Sequence, residues 1–445
     1  MTDRPNGDML LRGGRVVDAA TGLDQIADVL VQGGLVAAVA PHIDASGVPV
    51  MDASGCIVSP GFIDLHTHLR EPGFEQKGTI ATETQAALRG GFTTVCAMPN
   101  TSPAPDSATI VEALIERIAR DARVRVFPIG CVTRRREGRA LAELSELASA
   151  GCVALSDDGS PVADARIMRH ALELAAALGL PLSEHSDDPV LNAGGTMNEG
   201  RVSERLGLAG QPTAAEVVAI ARNIALCEAT SARLHIAHVS TARGLELIAE
   251  AKSRGIPVTC EVTPSHLFLT EDAVLGAGPE PAYDTNAKIN PPLRTEADRQ
   301  ALLRGLRDGT IDAIATDHAP HAREDKLCEF DDAAPGISCI ETALATVLTL
   351  VQRGELELVP ALRALTAGPA IAFNLTTRVP FIGSLAPGAP GDIVVFDPLA
   401  KWTVDPSRFA SRGKNTPLTG LELTGEVRAV LVAGILAFEQ EPAHV

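Results

Sequence analysis

In the segment Gly61 to Gly73, GFIDLHTHLREPG, the residues His66, His68 and Arg70 stand two apart. On an extended chain such positions share one face. Two imidazoles there suit a divalent metal, and a guanidinium beyond them suits an anion. Residues of the same chemical kinds end later apolar runs: Asn100 in AMPN, Asp157 and Asp158 in ALSDDGSP, His185 in LPLSEHS, His238 in RLHIAHVS, and Asp317 and His321 in ATDHAPH. One of the two aspartates at the fourth run, with Asp317 and the four histidines, makes a donor set for a pair of metals such as zinc, with a position left open for water. Adjacent strand residues face opposite ways, and the phase favours Asp158 over Asp157 as the carboxylate shared by both metals. No lysine lies between Lys77 and Lys252 to serve as a carboxylated bridge instead. Water held by two metals ionises near neutral pH and becomes a nucleophile.

The other histidines read differently. His235 is three residues before His238, which puts it on the opposite side of its strand, toward the helices. His318 is out of phase with Asp317. Both are expected to be structural or to support a ligand. His42, His170 and His444 fall outside the ends of the apolar runs, and His266, after the seventh run, is open between lining the site and packing.

Eight β-rich runs must position these groups: IVSPGFIDLH, GFTTVCAMPN, VRVFPIGCVT, GCVALSDD, LPLSEHS, RLHIAHVS, IPVTCEVTP and IDAIATDHAP. A helical pattern of ten to twenty residues follows each. In the fourth, Ile167, Ala171, Leu174 and Leu178 form one apolar stripe. Eight alternating units predict an α/β fold with a closed (β/α)8 TIM-like barrel over residues 59–377, whose reacting groups sit at the C-terminal strand ends. An open doubly wound sheet is the alternative. The chain ends, 1–58 and 378–445, alternate short apolar runs with glycine turns, as in LLRGGRVVD and VRAVLVAGILAFE, and are expected to join in one small β-sandwich domain.

Composition narrows the function classes. A 45% hydrophobic and 21% charged content is ordinary for a globular enzyme. The formal net charge of -18 argues against nucleic acid or an anionic membrane as partner, and an anionic substrate would need a local positive site. The polar opening MTDRPNGDML lacks a signal-peptide pattern, and the eight scattered cysteines contain no Cys-x-x-Cys pair, so a cytoplasmic protein with reduced thiols is expected. The charged segment 321–336 ends in Pro-Gly and reads as either a lid over substrate or a solvated loop.

The ordered series GFIDLHTHLREPG, AMPNT, SDDG, SEH, IAHVST, KINPPLR and ATDHAPH resembles the amidohydrolase superfamily, and within it the bacterial dihydroorotases that bridge their metals with aspartate. The resemblance spans nearly the whole chain. It implies two zinc ions, with His66, His68 and Asp317 on one, His185 and His238 on the other, and Asp158 between them. It also implies a substrate site of His68, Arg70, Asn100, Asn290 and His321, with backbone contacts from Pro335 and Gly336. The implied reaction is the reversible cyclisation of N-carbamoyl-L-aspartate to L-dihydroorotate, with hydroxide as nucleophile in the hydrolytic direction and Asp317 as proton carrier. Arg70 would grip the substrate carboxylate, although a simple ion pair with Glu71 is the blander reading. A homo-oligomer is expected, and a complex with aspartate transcarbamoylase is a further option. The rivals are a neutral-ring cyclic amidase, such as hydantoinase, dihydropyrimidinase or allantoinase, and an inactive scaffold for that transcarbamoylase.

Overall fold

A computed structural model describes residues 7–276, 278 and 282–440; His444 lies outside them. Eight parallel strands follow one another in chain order: Phe62–Thr67, Phe92–Ala97, Arg125–Gly130, Ala154–Leu155, Leu182–Glu184, Leu234–Ile236, Val258–Val262 and Ala313–Ile314. The last meets the first through a parallel bridge between Thr67 and His318, where the His68 N–H donates to the His318 carbonyl at 3.0 Å. The circuit is therefore a barrel rather than an open sheet. Asp64 clamps this closure, accepting from the backbone N–H of His66 at 3.1 Å and of Thr316 at 2.9 Å.

A helix follows every strand, from Ile80–Arg89 after the first to Ala343–Gln352 after the eighth. Thr79, Asp164, Thr241 and Thr295 cap four of these helices, each accepting a backbone N–H of the first turn. The stripe expected on Ala165–Leu178 holds at Ala171 and, half-buried against the core, at Ile167 and Leu178, and fails at Leu174. Met168, Ala171, Leu172 and Ala175 are buried, while Leu174 is 41% exposed. The helix carries more apolar residues than one face can hold, and the face with small alanines allows the closer approach to the barrel.

Outward-facing strand residues such as Leu155, Leu182, Leu234, Ile236 and Val262 pack with the helices in one large core. Ile63, Leu65, Cys96, Ile129, Ala313 and Ala315 form a separate cluster with Phe373 that fills the lumen below the site. Strands from both chain ends share one further sheet, in the order Ile435–Glu439, Glu422–Val432, Ile393–Thr403, Ile57–Pro60, Met9–Asp18, Leu23–Gln32 and Leu35–Ala40. It encloses its own apolar core, with Val29, Val58, Ile393 and Val395 among its members. Gly61 connects this sheet to the barrel. A Cβ there would lie 2.2 Å from the Thr93 side chain, so only glycine permits the crossing. All eight cysteines are free thiols, and among the described residues no helix is long and apolar enough to cross a membrane.

Candidate active site

The C-terminal strand ends converge on a cavity of about 240 Å³. It is lined by His68, Arg70, Asn100, Asp158, His185, His238, Asn290, Asp317, His321, Pro335 and Gly336, together with Gly159 and Ala319, which the sequence did not suggest. His66 lies beneath, fully buried. Simple alternation does not produce this convergence. The pairing of the first two strands shifts register between Asp64 and Thr67, and Arg70, His238 and Asp317 all adopt positive φ, at 65°, 33° and 49°. Such backbone is sparsely populated by non-glycine residues and persists where surrounding structure imposes it. Here it turns three side chains toward one point.

Two donor groups share a residue: His66, His68 and Asp158, and Asp158, His185 and His238. Asp158 Oδ1 is 3.3 Å from His66 Nε2, 3.4 Å from His238 Nε2 and 3.7 Å from His185 Nδ1. Asp317 Oδ1 is 2.9 Å from His68 Nε2 and 3.5 Å from His66 Nε2. Asp157 faces away, accepting the backbone N–H groups of Val132 and Thr133.

The donors fit divalent metal. His66 Nδ1 donates to Glu261 Oε1 at 2.8 Å, and His68 Nδ1 donates to Asn100 Oδ1 at 2.9 Å. With Nδ1 so committed, each ring when neutral turns an Nε2 lone pair into the site. His66 Nε2 has no hydrogen-bond partner, and the His68 lone pair meets a carboxylate oxygen. Lone pairs and anionic oxygens facing one another need a cation between them. The electrostatics register the same need for positive charge, met there by a proton drawn onto His66. Burial alone would depress the His66 imidazole, yet Asp158 and Asp317 raise it well above its ordinary value. Burial would raise the Asp158 and Asp317 carboxyls, but the charge of His66 and the neighbouring histidines hold both below the ordinary range, Asp158 well below.

Arg70 is buried and, among the described residues, has no carboxylate within ion-pair distance. Its Nε donates to the Pro320 carbonyl at 3.0 Å, and its Nη2 is 3.3 Å from His321 Nε2. Glu71 instead pairs with Arg117 at 3.1 Å, which removes the blander reading of Arg70. Burial lowers the guanidinium to about 10, leaving it charged at neutral pH. Asn290 Nδ2 donates to His185 Nε2 at 3.2 Å. The Gly336 N–H is already given to the Lys288 carbonyl at 2.8 Å and its own carbonyl accepts from Asn415 at 2.9 Å, so carbonyl lone pairs are what Pro335 and Gly336 can still offer.

His235 requires a second correction. It faces the lumen, not the helices, with its ring against Phe373 at 5.0 Å. The positive φ at His238 reverses the phase from which its direction was inferred. His235 Nε2 donates to Glu261 Oε2 at 3.1 Å, so Glu261 braces His66 from one oxygen and His235 from the other. His318 is buried against Glu83 at 2.8 Å, and His266 is buried between Thr263 and the Pro291 carbonyl, so both pack rather than line the cavity. His42 and His170 lie at the surface.

Three supporting residues were not anticipated: Glu261, Lys77 beside His321, and Asn415. Asn415 Oδ1 accepts the His321 N–H at 2.9 Å, and its Nδ2 donates to the carbonyls of Ala319 and Gly336. Only Glu261 left a trace in the sequence, as a carboxylate amid the apolar strand VTCEV. Segment 321–336 is anchored at several points, while Arg323, Glu324, Leu327 and Cys328 face solvent. Lys326 Nζ donates to the Thr285 carbonyl at 2.9 Å, Lys288 Nζ to the Phe330 carbonyl at 2.8 Å, and Phe330 is buried.

Comparison with known proteins places this geometry among others. A family model described as dihydro-orotase-like matches residues 55–244. A dihydroorotase of Anaeromyxobacter sp. (strain K) is 49% identical over 98% of this chain and 99% of its own length. One of Syntrophus aciditrophicus is 46% identical over 97% and 100%. Among solved structures, L-hydantoinase (dihydropyrimidinase) from Arthrobacter aurescens superposes with a TM-score of 0.86 at 27% identity, covering 98% of this chain and 97% of that one. Dihydropyrimidinase from Brevibacillus agri NCHU1002 gives 0.84 at 26%, covering 96% and 94%.

Proposed function

The chain belongs to the dihydroorotase family of the amidohydrolase superfamily, and we propose that His66, His68 and Asp317 hold one zinc ion, His185 and His238 a second, and Asp158 both. The reaction is the reversible interconversion of L-dihydroorotate plus water and N-carbamoyl-L-aspartate. Bound metal would polarise the amide carbonyl and lower the pKa of the attacking water. The other tasks fall to side chains. Arg70 forks onto the substrate carboxylate through two N–H donors, with the Asn100 amide and the His321 ring N–H beside it. Asp317, ionised and at the cavity wall, takes a proton from the attacking water and passes it to the ring nitrogen as the carbon–nitrogen bond breaks. In the biosynthetic direction it takes the proton from the carbamoyl nitrogen and gives it to the departing hydroxyl, so one water is released per ring closed.

One observation carries the substrate assignment: a buried guanidinium without a carboxylate partner opens into the same cavity as the metal donors. A buried cation needs an anion. A neutral ring, as in the hydantoinase and dihydropyrimidinase neighbours, would leave that need unmet. The inert-scaffold reading is disfavoured because all six proposed ligands are present and assembled. They come from a single chain, so association with a second copy or with aspartate transcarbamoylase, both part of the proposal, would add to a site already formed. The test is ring opening of L-dihydroorotate by the purified, zinc-loaded chain alone. Turnover abolished by a chelator and restored by zinc is expected. No turnover would return the scaffold reading.

A further inference from the structure

Lys77 lies behind His321, outside the cavity lining, and none of the roles above uses it. Its Nζ is 3.4 Å from His321 Nδ1 and 3.2 Å from Asp325 Oδ2. On the other side of the ring, His321 Nε2 is 2.9 Å from the Pro335 carbonyl and 3.3 Å from Arg70 Nη2. A carbonyl oxygen at 2.9 Å must receive a hydrogen, so Nε2 carries one. The ring is otherwise neutral: burial, followed by Arg70, Lys326 and Lys77, brings its pKa down to about 3. A neutral ring protonated at Nε2 has its lone pair on Nδ1, and the ammonium of Lys77 is the donor facing it. Asp325, 3.4 Å from Nδ1, serves as counter-ion to that ammonium and is held by the Ala322 N–H at 3.0 Å. The opposite tautomer would direct Nδ1–H at Asp325 and let Nε2 accept from Arg70 Nη2 at 3.3 Å, but it would leave Lys77 without an acceptor on the ring and set the Nε2 lone pair against the Pro335 carbonyl at the shorter distance of 2.9 Å.

We propose that Lys77 is a positioning residue for His321, fixing the ring as the Nε2–H tautomer, whose one hydrogen rests on the Pro335 carbonyl in the free site and is shared with the substrate carboxylate beside Arg70 when that anion is bound. The proposal rests on the functional reading above. The backbone of His321 is anchored separately by Asn415, so removing the ammonium should move a proton more than it moves the chain.

The first experiment is long-range proton–nitrogen NMR on substrate-free, zinc-loaded protein labelled with ¹⁵N-histidine, with His321 identified by the signal lost in His321→Asn. The expected result is a protonated Nε2 and an unprotonated Nδ1 in the wild type, a mixture of tautomers in Lys77→Met, and recovery in Lys77→Arg. Unchanged tautomer signals in Lys77→Met, or a protonated Nδ1 in the wild type, would overturn the proposal. The second experiment is kinetic. Loss of one aligned donor should raise KM for L-dihydroorotate about tenfold with kcat altered less than about threefold, and Lys77→Arg should restore it. An altered tautomer with unchanged KM would overturn the role at the carboxylate. Because the spectra need no substrate, a chain that does not turn over dihydroorotate would refute the function without touching the tautomer result.

Discussion

Replacing Glu261 by glutamine should weaken metal binding without contact to the metal. The Glu261 carboxylate is fully buried and accepts two hydrogen bonds, from His66 Nδ1 at 2.8 Å and His235 Nε2 at 3.1 Å. Burial alone would raise its pKa, but the bonds from His235 and His66 reverse this and keep it ionised. Glutamine has nearly the same shape, no charge, and one oxygen for two donors. If the amide oxygen stays with His66, the ring keeps its tautomer but loses the carboxylate's pull on Nδ1–H. If the NH2 group faces His66, that ring must carry its proton on Nε2, and the lone pair aimed at Asp158 and Asp317 is gone. Hydrogen bonds to a charged group are worth about 1.5–3 kcal/mol. At about 1.4 kcal/mol per decade this corresponds to roughly 10- to 100-fold in metal affinity, the range typical for groups that orient a histidine ligand. The assay is competition for zinc against a chelator of known affinity, on protein whose circular dichroism matches the wild type. An affinity within about threefold of wild type in a folded Glu261→Gln would refute the claim that Glu261 sets the His66 tautomer.

Three further outcomes are expected. Asp158→Ala should cut bound zinc to at most one per chain and abolish most turnover, as read by elemental analysis beside activity; two zincs with full activity would remove its bridging role. Gly336→Ala should destabilise the fold by about 1–3 kcal/mol in chemical denaturation, because φ is 143° there and a Cβ would lie 2.7 Å from the Ala319 Cβ and 3.0 Å from His321 Nε2; a change below about 0.3 kcal/mol would contradict this. With its pKa depressed to about 3, His321 stays neutral as pH falls from 8 to 5, so it should add no titration to KM for dihydroorotate. A KM transition near pH 6 that disappears in His321→Asn would show an ordinary, titrating imidazole.

The parts of this site that were legible in the sequence are those written in local periodicity. The eight β/α repeats fix which residues end strands, and strand ends are where a barrel concentrates chemistry. That is why His66, His68, Asp158, His185, His238 and Asp317, read from separate runs, line or underlie one cavity. Periodicity fails where the backbone leaves the extended region. Alternation counted back from His238 gives the wrong direction for His235 because the chain turns left-handed at His238, and Arg70 reaches the cavity by positive φ rather than by continuing its strand. On Ala165–Leu178 the i, i+4, i+7, i+11 spacing places Ile167, Ala171 and Leu178 toward the core but also Leu174, which is exposed because Met168, Leu172 and Ala175 fill that face. The supporting groups were invisible for another reason. Glu261 is 195 residues from His66, Lys77 is 244 from His321, and Asn415 is 94 from His321. No spacing rule links such pairs; only the closed barrel and its companion sheet bring them together.

The most direct test of the central claim is the ratio of kcat/KM for L-dihydroorotate over dihydrouracil, measured with zinc-loaded wild type and Arg70→Met. Dihydrouracil keeps the cyclic amide and lacks the carboxylate. The account predicts a strong wild-type preference for dihydroorotate, reduced by roughly 10- to 100-fold in Arg70→Met through loss of charge-assisted hydrogen bonds of about 1.5–3 kcal/mol, with N-carbamoyl-L-aspartate weakened in parallel. Equal turnover of both rings by the wild type, or a ratio untouched by the substitution, would contradict it.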